Sequence, residues 1–176
     1  MLQRSDWCAS LATLALAGAP ALTSANDHRP GLDYRFLRSH NAERALVGVP
    51  SLVWDDKLVA SARAWANHLS RTGRFEHSPR ASDPYGSLGE NIWAGTPDRF
   101  SPEQMVNGWV REKEFFRPGV FPNISRTGRV ADVGHYTQVV WRTSRSVGCA
   151  LAPGPEADVL VCHYAEGGNV LGERPF

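Results

Sequence analysis

Two cysteines on either side of a proline-glycine turn constrain the fold of this chain more than any other feature. Val147, Cys149 and Leu151 alternate along one run and Leu160, Cys162 and Tyr164 along another, with Pro153-Gly154-Pro155 between them. Alternation of period two on both sides of a turn signal reads as an antiparallel hairpin. Folding the chain about that turn sets Cys149 opposite Cys162. Directly opposed Cβ atoms stand about 4.5–5.5 Å apart, near what a disulfide spans after slight adjustment. Two buried thiols are the alternative, and an oxidising compartment decides for the bridge.

The first residues of the chain point to such a compartment. Arg4 is followed by an Ala/Leu-rich stretch over 9–22 and then by Thr23-Ser24-Ala25 before polar Asn26, so 1–25 reads as a secretory signal. A membrane anchor is the competing reading. A span needs about 20 apolar residues, and this stretch is shorter and interrupted by Gly18 and Pro20. Cys8 lies within it and leaves with it, so the remaining two cysteines are the even count that suits one bridge. A chain of 176 residues that is 42% apolar buries one good core and is too short for two ordinary domains, so 26–176 is expected to be a single domain. A formal charge of +1, with charges dispersed along the chain, lacks the basic footprint of a nucleic-acid binder. The expectation is a secreted or extracellular monomer (periplasmic in a Gram-negative host), with no nucleic-acid partner and no stable membrane insertion.

Helical periodicity runs over 33–47, where Phe36, Leu37, His40, Arg44 and Val47 share a side; His40 there reads as a hydrogen-bonded core residue. Asp55 or Asp56 can cap a second helix in which Leu58, Ala62, Trp65 and Leu69 recur on one face, ending near Gly73, with Trp65 expected in the core. Turn signals over 74–102 predict irregular backbone with one short strand around Asn91-Ile92-Trp93. Ser101-Pro102-Glu103-Gln104 is a capping-box start for a third helix, expected to reach about Phe116. A long loop over 117–133 and two or three closing strands follow.

The run Gly134-His135-Tyr136-Thr137-Gln138-Val139-Val140-Trp141-Arg142 resembles the signature of the CAP superfamily, named for cysteine-rich secretory proteins, antigen 5 and plant pathogenesis-related group 1 proteins. Further segments match in the family's order: Phe36 to Arg44, Phe75-Glu76-His77-Ser78, Gly89-Glu90-Asn91-Ile92-Trp93, Trp109 to Lys113, and Gly172-Glu173-Arg174-Pro175. The resemblance covers roughly 32–176. It implies an α+β fold, a three-layer α-β-α sandwich with a short, mainly antiparallel central sheet. It also implies a central cleft lined by His77, Glu90, Glu112 and His135. Their spacing is nothing like the i, i+4 pairing of a helical metalloprotease motif, so their convergence rests on the resemblance alone. Helix phase adds one point: with Met105, Val106, Trp109, Val110 and Phe116 buried, Glu112 lies at the border of that face and Glu114 points away.

Such a set has three uses. His77 and His135 could ligate Zn²⁺ or another divalent cation, with Glu90 and Glu112 fixing the tautomers. A His-Glu set, aided by a metal, could act as a general base on water. The network could also be purely structural. Neither His-Glu-x-x-His nor Gly-x-Ser-x-Gly occurs, and the mature chain has no free cysteine, so a nucleophile is unidentified. Ser39 and Ser78 stand near histidines but are expected to bond the local backbone. The leading expectation is a non-enzymatic binding protein; a metal-assisted hydrolase or protease is the alternative. The resemblance extends to a sterol or other lipid ligand, for which Trp93, Phe100, Phe115, Phe116 and Phe121 could rim a groove. The chain departs from plant members at Val133, where they carry cysteine, and at His163, where Asn is common, which leaves the role of His163 open.

Overall fold

In the computed structural model, which describes residues 31–79 and 88–176, the chain passes through α1 (Leu32–Leu46), β1 (Val53–Trp54), α2 (Asp56–Thr72), β2 (Gly89–Gly95), α3 (Pro102–Val110), α4 (Gly134–Val139), β3 (Ser146–Ala152) and β4 (Asp158–Ala165). The leader read from 1–25 lies outside the described residues. Local chemistry sets the helix ends. Asp55 Oδ1 accepts from the amides of Lys57 and Leu58 at 2.7 and 3.2 Å, and α2 closes at Gly73, whose φ of 66° is the left-handed turn that glycine adopts without strain. Ser101 and Gln104 cap each other across the first turn of α3.

The third helix is shorter than its apolar pattern predicts. Its α-helical part ends at Val110, and Arg111–Glu114 tighten into a 3-10 turn closed by the Phe115 amide on Glu112 O at 2.9 Å. Phe116 is still buried, but it has left the helix to bridge Ser125. The His135 segment is itself the short helix α4.

The sheet order is β1-β3-β4-β2, with only the two-residue β1 parallel to its neighbour. Cys149 faces Cys162 across the β3–β4 hairpin and is disulfide-bonded to it, as the alternation predicts. The two faces differ in the size of their side chains. Ala150, Ala152, Val159, Val161 and Ile92 meet Ala62, Ala66 and Leu69 of α2 on one side; Val147, Cys149, Leu160, Cys162 and Tyr164 meet α1, α3 and α4 on the other. This is the expected α-β-α sandwich. Small residues on the first face bring α2 down onto the strands, and at Gly148 any Cβ would collide with the backbone of Asp55, Leu58 and Val59.

Arg44 joins the layers on the larger side. Its buried guanidinium donates to the carbonyls of Pro50 (2.7 Å), Val139 (3.0 Å), Trp141 (2.9 Å) and Ser144 (3.1 Å), and no carboxylate among the described residues neutralises it. Burial pulls its pKa down to about 10, so it stays charged at neutral pH and uses backbone dipoles in place of a counter-ion. Arg44→Met keeps the stem but leaves these acceptors unpaired. With an unmade buried hydrogen bond costing about 1–3 kcal/mol, urea unfolding should show a loss of at least about 3 kcal/mol; a loss below about 1 kcal/mol would show that the carbonyls are hydrated instead.

Candidate functional site

Glu90 is the second residue of edge strand β2 and stands in register with His163 of β4. Both of its oxygens are engaged. Oε1 accepts from His77 Nδ1 at 2.6 Å and from the Ser78 amide at 3.0 Å, while Oε2 accepts from His163 Nε2 at 2.9 Å. Burial alone would raise the pKa of this carboxyl, but the bonds from His163, His77 and Ser78 outweigh it and hold the group down at about 2. The same carboxylate raises the pKa of His77 by hydrogen bonding, against the opposing effect of burial. An ionised carboxylate only accepts, so His77 carries its proton on Nδ1 and His163 carries one on Nε2. His163 Nδ1 is left facing the hydroxyl of Ser61 at 2.7 Å.

A second pair forms across the 3-10 turn. Glu112 Oε1 accepts from His135 Nδ1 at 2.6 Å, and Oε2 accepts from the amides of His135 and Tyr136 at 3.0 and 3.1 Å. The imidazole stacks on Trp109, with ring centres 6.2 Å apart and planes 15° from parallel. Tightening after Val110 is what turns Glu112 toward α4; Glu114 is exposed, as helix phase implies.

Asn91 connects the pairs. Adjacent to Glu90, its side chain points to the opposite face of the sheet and donates to His135 O at 3.1 Å and to the Tyr164 hydroxyl at 3.2 Å. Tyr164 in turn meets His40 Nε2 at 2.7 Å, and His40 Nδ1 donates to Phe36 O at 2.8 Å. Burial drops the His40 pKa to about 4, so the ring is neutral and its Nε2 accepts from the tyrosine. His40 is thus the satisfied core histidine expected. It also falls within reach of Cys149 and Cys162 as a group of metal-ligand type. Both sulfurs are in the disulfide and both ring nitrogens are bonded, which closes that group to a metal.

The structure therefore joins His77 to Glu90 and His135 to Glu112. A cavity of about 820 Å³ beside α2 is lined by His77, Glu90, His163, Ser61, Trp65 and His68 among others; Glu112 and His135 lie outside its lining. Trp65 corrects an expectation. It is half-buried, stacks on His68 with ring centres 4.7 Å apart, donates to Glu76 O and forms cavity wall as well as core. The five aromatics named for a groove separate into different contacts: Trp93 with Phe100, Phe116 with Tyr136, Phe121 with Trp141, and Phe115 exposed. Ser39 bonds Arg35 O, and Ser78 contributes its backbone amide. Sequence reasoning missed Ser61 altogether and left His163 unassigned; the departure from Asn at 163 was the available signal.

The model of the cysteine-rich secretory protein family matches residues 37–164. Pathogenesis-related protein PR-1 of Medicago truncatula is 40% identical over 144 residues, covering 81% of this chain and 78% of that one. Among solved structures, BmVAL-1 superposes with a TM-score of 0.69 at 23% identity, covering 87% of this chain and 85% of that one. The crystal structure of NaASP2 with Zn²⁺ gives 0.68 at 22%, covering 82% and 84%. This chain belongs to the cysteine-rich secretory protein, or CAP, family.

Two titrations follow from the first pair. The stabilisation that Glu90 draws from its partners is present above about pH 4.5 and is lost as pH falls toward about 2, so Glu90→Gln should flatten the acid limb of the stability curve. In NMR titrations His77 should titrate above 6.5 in the wild type and fall toward that value in Glu90→Gln. An unchanged His77 midpoint would contradict the bond.

Proposed function

We propose that this chain is an exported binding protein whose His77 and His135 hold a divalent cation such as Zn²⁺, with Glu90 and Glu112 orienting the two rings. One observation carries the reading. Each imidazole has its Nδ1 occupied by a carboxylate at 2.6 Å, and neither Nε2 has a partner among the described residues. A carboxylate on one ring nitrogen fixes the tautomer that leaves the other free and more basic, the arrangement of metal-binding histidines. Imidazole donors suit zinc. A bound cation would supply Lewis acidity; the protein supplies orientation and a site that takes its remaining ligands from water or ligand. NaASP2, a relative in fold, has a crystal structure with Zn²⁺.

Export is supported by the Cys149–Cys162 bridge, which an oxidising compartment maintains, and by the leader-like composition of 1–25. No helix of the described residues is long and apolar enough to cross a membrane. A sterol or other lipid is the organic ligand class, supported by the apolar walls that Ala64, Trp65 and Leu88 give the cavity beside α2.

Isothermal titration with Zn²⁺ should give binding in the wild type that disappears in the His77→Ala, His135→Ala double variant. Glu112→Gln should weaken it about 10- to 100-fold, the usual cost of losing an orienting carboxylate. Equal binding by wild type and double variant would refute the reading, and zinc-dependent turnover of a peptide library would favour the hydrolase in its place.

A further inference from the structure

We infer that Ser61, His163 and Glu90 form a nucleophile, base and orienter opening on the cavity beside α2, and that this set cleaves esters with an apolar acyl group. The inference goes beyond the cation reading and needs no metal.

Three observations carry it. The chain of contacts is continuous: Ser61 Oγ lies 2.7 Å from His163 Nδ1, and His163 Nε2 lies 2.9 Å from Glu90 Oε2. Its polarity is set by chemistry. A carboxylate oxygen accepts, so with Glu90 Oε2 against its Nε2 the neutral imidazole of His163 keeps its proton there, and its Nδ1 lone pair faces the serine hydroxyl. That is the arrangement by which a general base activates a hydroxyl nucleophile. The chain also reaches an opening: Ser61, His163 and Glu90 all line the 820 Å³ cavity, while His163 itself is only 4% exposed, so the base is shielded from bulk water.

The fold brings these residues together by close approach. Gly148 of β3 stands in register with His163, and its missing side chain lets the first turns of α2 rest directly on the sheet. Ser61 lies one turn beyond that contact, over His163. A purely structural serine in a helix already has the carbonyl one turn back to bond, and Ser61 does reach Leu58 O at 3.0 Å. Its single hydrogen therefore has two acceptors, Leu58 O and His163 Nδ1. Rotation of one hydroxyl switches the residue from a local bond to an activated one.

In the reaction, Ser61 Oγ forms a bond to the ester carbonyl carbon as its proton passes to His163 Nδ1. The carbonyl oxygen takes the negative charge, for which His68 and Arg71 on the cavity wall are the available donors. Collapse breaks the carbon–alkoxy bond, and the alcohol leaves with the proton from His163. Water then attacks the acyl-serine by the same route, releasing the acid and restoring Ser61. Ala64, Trp65 and Leu88 supply the apolar wall for the acyl group.

The test uses the full, disulfide-bonded chain, a fluorophosphonate probe read by peptide mass spectrometry, and hydrolysis of p-nitrophenyl butyrate. Labelling should map to Ser61 and vanish in Ser61→Ala. His163→Asn should lower kcat about a hundredfold or more, the scale of a positioned general base, while near-UV circular dichroism reports that both variants fold. Zinc titration of Ser61→Ala should match the wild type, which separates failure of this inference from failure of the cation reading. Absence of labelling in the folded wild type, labelling at another residue, or ester turnover that survives in Ser61→Ala would overturn it.

Discussion

A buried positive charge bonded to backbone carbonyls, with no anion beside it among the described residues, holds this molecule in register. Arg44 sits in the last turn of α1 and spends its guanidinium on carbonyls from the turn after α1, the end of α4 and the approach to β3. A salt bridge would have tied the group to one partner; the planar fork instead ties three stretches of chain at once. Those stretches frame the segment that carries His135. The angle at which α4 presents its imidazole to Glu112 depends on a residue that takes no part in the site, and the same carbonyls would be left unpaired if α1 moved.

On that frame the chemistry is arranged by two carboxylates. Glu90 and Glu112 each accept a ring N–H and at least one backbone amide, so each decides both the orientation and the protonation pattern of its histidines. Glu90 does this twice, presenting one oxygen to the exposed His77 and the other to the buried His163. Its two imidazoles are left with opposite unprotonated nitrogens, Nε2 on His77 and Nδ1 on His163. One carboxylate thereby fixes the tautomers of two histidines, one turned to the surface and one turned to a serine hydroxyl.

Much of this arrangement was legible in the residues, in proportion to how local the cause is. The Cys149–Cys162 pairing follows from alternation about one turn, the α2 and α3 caps from a few side chains each, and the burial of His40 from its helical phase. Phase also selected Glu112 over Glu114, although the turn that delivers Glu112 is a 3-10 turn that apolar spacing does not reveal. Trp65 was misread because an amphipathic stripe marks the side facing the sheet without distinguishing core from cavity wall. The Ser61–His163–Glu90 contacts were out of reach for a different reason. They require the register between β2 and β4 and the close approach of α2 at Gly148, and both are long-range consequences of packing.

The account stands on which nitrogen of each ring carries the proton, and long-range ¹H–¹⁵N correlation spectroscopy of the imidazoles at mildly alkaline pH reads that directly. His77 and His135 should be protonated at Nδ1 with Nε2 bare, and His163 should be protonated at Nε2 with Nδ1 bare. Protonation at Nε2 in His77 or His135 would mean that the carboxylates do not set the tautomers, and the account of the site would be contradicted.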